Sequence, residues 1–238
     1  MIFFKKPRSP APPPTLKIKL NGVRFVPTKT VKYLGIHLDE NLSGSVHCNK
    51  LIPKLSRANA ILSKLRHFLP FRELKSVYHS IFSSHMLFNC QAWGTNNNNN
   101  FRKIETLQNN ALRIITFSEF RCSASPLYKD LKILKLKDHI SLLNCLFVHD
   151  QLNNNVPKNF SVFFLSTSNL YARTTRNSSK GKIYVPTFKS NKYGSKSLKH
   201  LCISSWNDAI DYFKNTDFNK VNKRDLKMLL TQKFLNSY

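Results

Sequence analysis

The sequence predicts a mainly α protein that opens with a small β-hairpin or sheet, continues as a helical bundle and ends in an irregular basic region. Three observations predict this. Apolar residues recur at steps of three and four through most of residues 51–152, the period of amphipathic helices. Ahead of that stretch, apolar and cationic residues alternate around the turn pair Asn21-Gly22, the period of a strand. Past Asn153 the texture changes again, and no acidic residue occurs between Asp150 and Asp208.

Residues 1–14, rich in Pro and Lys, are expected to form a disordered tail or a truncated edge. Residues 15–42 make the β element: Leu16, Ile18 and Leu20 alternate with Lys17 and Lys19, Asn21-Gly22 turns the chain, and Val23 and Phe25 return. The segment KYLGIHLD, from Lys32 to Asp39, reads as a third short strand. Residues 43–153 form the bundle. Leu51, Leu55, Ala58, Leu62, Leu65 and Leu69 line its first helix, which Pro70 ends. A second helix is expected from Arg72 to about Trp93, with Leu74, Val77, Ile81 and Phe88 on its apolar stripe and Tyr78, Phe82 and His85 beside it. The asparagine run 96–100 is a loop. A third helix spans about Phe101 to Phe117, a fourth opens at Ser125-Pro126, and a fifth runs from about Lys137 to Leu152. In the basic region, residues 154–238, only a strand over 183–188 and a terminal helix from about Val221 to Leu235 are expected.

With 238 residues and 41% apolar composition, the chain is long enough for one large domain or two small ones and can bury a core. Thirty-eight Lys and Arg against 12 Asp and Glu leave a net charge of +26, far beyond what solubility requires. The implied partner is a polyanion, for which RNA and DNA and an anionic membrane both qualify. No stretch approaches the roughly 18 consecutive apolar residues of a membrane helix, and MIFFKKPRSPAPPP lacks the apolar core of a signal peptide. An intracellular chain, nuclear or cytoplasmic, with no membrane partner is therefore expected. Cys48, Cys90, Cys122, Cys145 and Cys202 are scattered and never in C-x-x-C spacing, which argues against a disulfide framework and a zinc site alike. His47-Cys48 is adjacent rather than spaced for a metal.

Several short motifs occur in order. Tyr33-Leu34-Gly35 stands within Val31–Asp39; Lys54-Leu55 leads through Ala58 and Leu62 to Leu65-Arg66; Tyr78, Ser80 and Ser84 precede Trp93-Gly94. Gln108-Asn109-Asn110-Ala111-Leu112-Arg113-Ile114-Ile115-Thr116 follows, then Gly194 with Ser197 and the pair Trp206-Asn207. This series, over about residues 15–235, resembles the C-terminal part of the reverse transcriptases of non-LTR retrotransposons, the LINE-type, jockey-like elements. The resemblance implies that the KYLG segment belongs to the primer grip, that the helices after it form a thumb holding the template-primer duplex, and that the catalytic palm lies upstream.

Candidate binding residues follow from charge and from that resemblance. Lys32, Tyr33, Leu34 and Gly35 lie in the grip-like segment, and Lys54, Arg57, Lys64 and Arg66 lie off the leucine stripe of the first helix, where either a phosphate backbone or solvent can face them. Arg113, flanked by apolar residues, needs either a phosphate or a buried carboxylate. Arg173, Arg176, Lys180 and Lys182 stand in a segment where nine cations from Lys158 to Lys199 interleave with aromatic residues; nucleic-acid contact, a solvated face and disorder over 174–182 all fit. Trp93 and Trp206 read as packing anchors.

Two-metal nucleotide addition needs converging carboxylates. No Asp-Asp pair occurs in the sequence, neighbours Asp39 and Glu40 point to opposite sides of a strand, and Asp208 and Asp211 are one turn apart on a probable helix. The chain is thus expected to be inactive alone and to carry no cofactor, magnesium belonging to the missing palm, itself a possible partner. The alternative reading is a retained, sequence-independent nucleic-acid-binding module with no polymerase role.

Overall fold

A computed structural model describes residues 2–5, 18–24, 26–94, 99–160, 163–167, 181–188, 194–214, 218 and 221–238. The protein is mainly helical with a small antiparallel β element near its N-terminus, as its sequence predicts. It divides into two units, Met1–Leu107 and Gln108–Tyr238.

In the first unit, β1 (Lys19–Leu20) and β2 (Val23–Arg24) pair antiparallel across the Asn21-Gly22 turn. The expected third strand is instead a second hairpin: β3 (Thr30–Tyr33) pairs with β4 (Ile36–Asp39), and Leu34-Gly35 forms the turn between them. Both turn residues have positive φ, 44° and 82°, the geometry that matches strand twist in two-residue hairpins. A Cβ at position 35 would stand 2.9 Å from the far edge of the half-exposed Phe88 ring, which would have to shift, so the positive φ is the stronger reason for glycine there. Asp39, buried at the end of β4, accepts hydrogen bonds from the Asn41 and Ser43 amides and the Ser43 hydroxyl, which folds the chain into the next helix. The expected tail is anchored at Lys5, whose amide donates to the Glu40 carbonyl and whose ammonium pairs with the Glu40 carboxylate at 3.4 Å.

Helix α1 (Ser45–Leu65) buries Leu51, Leu55, Ala58 and Leu62, the predicted stripe. Gly44 caps it at φ 70°, with the Trp93 carbonyl so close that a Cβ would lie 2.5 Å away. The single helix expected over 72–93 is interrupted. It comprises α2 (Phe71–Val77), a π-helical segment (Tyr78–Ser83) and α3 (Ser84–Leu87), then a break at Asn89, φ 46°, before α4 (Cys90–Trp93). The cause lies in the buried side chains, Leu74, Tyr78, Phe82 and Met86, which recur every four residues. A regular helix rotates such a series by about 40° per step, and the wider π turn takes up that drift. Phe88 and His85, expected at the core, are exposed instead.

Helix α5 (Asn99–Ile115) crosses the unit boundary in sequence. In the second unit, α6 (Ser125–Leu131) and α7 (Leu136–Leu152) follow, then a 3-10 turn at Lys158–Phe160. The strand expected over 183–188 is reduced to one bridge between Ser166 and Ile183. Two helices close the chain, α8 (Leu198–Tyr212), which the sequence did not suggest, and the expected terminal one, α9 (Lys223–Asn236). Cys145 and Val148 of α7, Cys202, Ile203 and Trp206 of α8, and Leu226 and Leu230 of α9 form the core of this unit. No helix among the described residues is long and apolar enough to cross a membrane.

Candidate nucleic-acid interface

The exposed side of α1 carries a row of cations. Lys50, Lys54, Arg57 and Lys64, with Ile61 among them, follow a 4-3-4-3 spacing and are all exposed, so they form one stripe along the helix. From Lys50 to Lys64 the stripe extends about 21 Å at 1.5 Å per residue. No acidic residue occurs between Glu40 and Glu73, so the helix supplies no carboxylate to neutralise its own cations.

The second hairpin adds a cation at one end of the stripe. Lys32 pairs across the strands with His37, and the Lys50 ammonium lies 3.2 Å from His37 Nδ1. Partial burial, followed by the charges of Lys50, Lys32 and Lys54, lowers the affinity of the His37 imidazole for a proton. Three lysines from two elements therefore disfavour a proton on this one ring. Next to it, His47 is buried at the start of α1, accepts the His37 amide at 3.4 Å through Nδ1 and packs on the Trp93 ring at 5.4 Å. Burial, then the neighbouring His37 and Lys54, push its pKa down to about 4.

Of the residues singled out in the sequence, Lys32 and Lys54 thus both act on His37, and Arg57 and Lys64 lie on the same exposed face of α1 as Lys54. Tyr33 and Leu34 sit at the hairpin tip, 62% and 73% exposed, with Gly35 against Phe88. Arg66 follows the last turn of α1, half-buried, its amide bonded to the Leu62 carbonyl. Lys50 escaped the sequence reading because it precedes the first counted leucine. Its signal was the 4-3-4 spacing with Lys54, Arg57 and Lys64.

In the second unit the candidates have other occupations. Arg113 is half-buried, its Nε donating to the Cys122 carbonyl and its Nη1 to Asn110 Oδ1, both at 2.9 Å, which ties down the loop after α5. Lys182 is paired with Asp211 at 2.7 Å. Arg173, Arg176 and Lys180 lie outside the described residues.

The polar members of the sequence motifs are structural clasps. Gln108, fully buried, donates to the Leu134 carbonyl and accepts the Leu136 amide, satisfying an otherwise orphan donor at the start of α7. Asn109 accepts the Tyr128 hydroxyl at 2.7 Å. Ser197 caps α8 by accepting the His200 amide and donating to the Gly194 carbonyl. Asn207 bonds both the amide and the carbonyl of Ile183 at 3.0 Å, and Trp93 and Trp206 are buried anchors, as expected.

The carboxylates nearest one another in sequence have other partners. Asp39 is committed to three donors and Asp211 to Lys182. Among the described residues no group of three or more His, Cys, Asp or Glu is placed to hold a metal ion.

Sequence comparison adds relatives to this helical body with its hairpin and basic helix face. The chain is a relative of the RNA-directed DNA polymerases of non-LTR retrotransposons. It is 28% identical over 156 residues to a probable RNA-directed DNA polymerase from transposon X-element of Drosophila melanogaster, covering 64% of this chain and 16% of that protein. A probable RNA-directed DNA polymerase from transposon BS of the same organism matches at 28% over 133 residues, 54% of this chain and 15% of that protein. The Retrovirus-related Pol polyprotein from type-1 retrotransposable element R1 4 of Nasonia vitripennis matches at 32% over 117 residues, 48% of this chain and 29% of that protein. The chain thus corresponds to less than a third of the length of each of these relatives. No family model and no solved structure matches it.

Proposed function

We propose that the chain holds the template-primer duplex of a non-LTR retrotransposon reverse transcriptase, as its primer-grip, thumb and downstream part, and that nucleotide addition is carried out by a palm this sequence does not include. The observation that supports the reading is the stripe Lys50, Lys54, Arg57 and Lys64 with Lys32 beside it, unbalanced by any acid on the helix. Lys and Arg on phosphates give affinity without sequence preference, as a polymerase moving along any template requires. A stripe of about 21 Å matches the axial run of roughly six phosphates of one strand. The grip-like hairpin contributes Lys32 to this face and presents Tyr33 and Leu34 at its tip.

Fluorescence anisotropy with an RNA–DNA hybrid tests the reading. The triple variant K54A/R57A/K64A, which exchanges exposed helix residues for the best helix former and so keeps the fold, is expected to bind at least about 10-fold more weakly near physiological salt. Unchanged affinity overturns the proposal. In a primer-extension assay with magnesium the chain alone is expected to incorporate no nucleotide; measurable incorporation overturns its non-catalytic part.

A further inference from the structure

Phe68 is the most exposed large apolar side chain among the described residues, at 82%. It does not stand on a slack loop. The turn after α1 is held by the Phe68 and Leu69 amides, both donating to the Leu65 carbonyl at 2.9 Å, and Pro70 then starts α2, its carbonyl accepting the Leu74 amide. Leu69 is partly buried on one side of Phe68, and Phe71, 44% exposed, opens the next helix. Phe68 lies four residues beyond Lys64, in the hydrogen-bonded turn that follows α1, just past the C-terminal end of the helix that carries the cationic stripe. Exposed His67 and Arg72 flank it.

We propose that Phe68 is a stacking platform for an unpaired nucleobase, at the point where a duplex lying along α1 gives way to single strand. The inference rests on the duplex-binding reading and names a second ligand feature for the same face. A lone aromatic ring at the end of a row of cations suits a strand that offers a phosphate and a π face in turn. It does not suit an apolar protein partner, since the stripe beside it is cationic along its whole length, with only Ile61 interrupting. No acidic residue occurs in the sequence between Glu40 and Glu73, so cations outnumber acids in the segment that carries the ring.

The test compares two probes on the full chain: a blunt RNA–DNA hybrid of roughly a dozen base pairs, and the same hybrid with a short single-stranded overhang. Wild-type protein is expected to bind the overhang probe more tightly. Phe68→Ala should lose that advantage, about 10-fold, with blunt-hybrid affinity unchanged. Phe68→Trp should keep it, and its indole emission should be quenched by the overhang probe and not by the blunt one. Equal loss on both probes, or no loss on either, overturns the platform. So does a Phe68→Ala defect in sedimentation with anionic phosphatidylserine vesicles that is absent with both oligonucleotides. Failure of the underlying reading looks different: K54A/R57A/K64A then binds the blunt hybrid as wild type does, whatever Phe68→Ala shows.

Discussion

His47 is a base kept neutral by its surroundings. Its pKa of about 4 lies below the ordinary 6.5, so between those values the unfolded chain takes up a proton that the folded chain refuses. Stability from this residue is therefore complete above about pH 6.5 and is lost as pH falls toward 4, by about 3 kcal/mol at most. The imidazole of His37, also lowered, acts in the same direction. Denaturant melts at stepped pH should show this slope, and His47→Asn, which retains an acceptor for the His37 amide without titrating, should flatten it. Thiols provide an independent check on the packing. Cys48, Cys90, Cys145 and Cys202 are buried, and burial pushes their thiols up to about 11 or 12, whereas Cys122 is only half-buried. A thiol reagent at neutral pH should modify one cysteine quickly in the native protein and all five after denaturation; mass mapping to any residue but Cys122 contradicts the fold described.

Among the elements, those with long, uniform apolar periods were legible from sequence. Helices α1, α5 and α7 appear within a few residues of their expected bounds because apolar residues recur along them at steps of three and four, even though polar residues such as Asn59, Gln108 and Asn144 share their buried faces. Helix α8 was hidden for a physical reason: its buried set, Cys202, Ile203, Trp206, Ala209 and Ile210, has the helical spacing but few aliphatics, and Ser204, Ser205 and Asp208 lie between. The second hairpin was hidden because leucine is a poor residue at positive φ, so Leu34-Gly35 does not read as a turn pair. The buried amides were illegible because their partners are remote in sequence; Gln108 looks like a surface residue until Leu134 and Leu136 are seen against it. Gln108→Leu should leave a carbonyl and an amide of the α6–α7 link unpaired in the interior, at about 1–3 kcal/mol each. The expected fall in melting temperature is on the order of 5–10 °C, and a change within about 1 °C contradicts the clasp. Tyr238 supports the same helix start, since its hydroxyl donates to Asp138 and accepts the Lys135 amide while Lys135 lies over its ring.

At the scale of the whole molecule, a charge of +26 implied a polyanion but not where it binds. In the second unit Arg113 ties a loop, Lys182 meets Asp211, and the motif residues Gln108, Asn109, Ser197 and Asn207 join segments of the chain. What remains unabsorbed in the first unit is the outer face of α1 with Lys32. Part of that site was legible, because Lys54, Arg57 and Lys64 fall off the leucine stripe; the convergence of Lys32 and Lys50 on His37 needed the hairpin, which only the fold supplies. The most direct measurement is the salt dependence of RNA–DNA hybrid binding. With the log of the binding constant plotted against the log of salt concentration, each phosphate contact contributes a slope of about −0.9. The slope of K54A/R57A/K64A should be shallower than wild type by about 3. Parallel lines for the two proteins would contradict the assignment of the α1 face to the duplex.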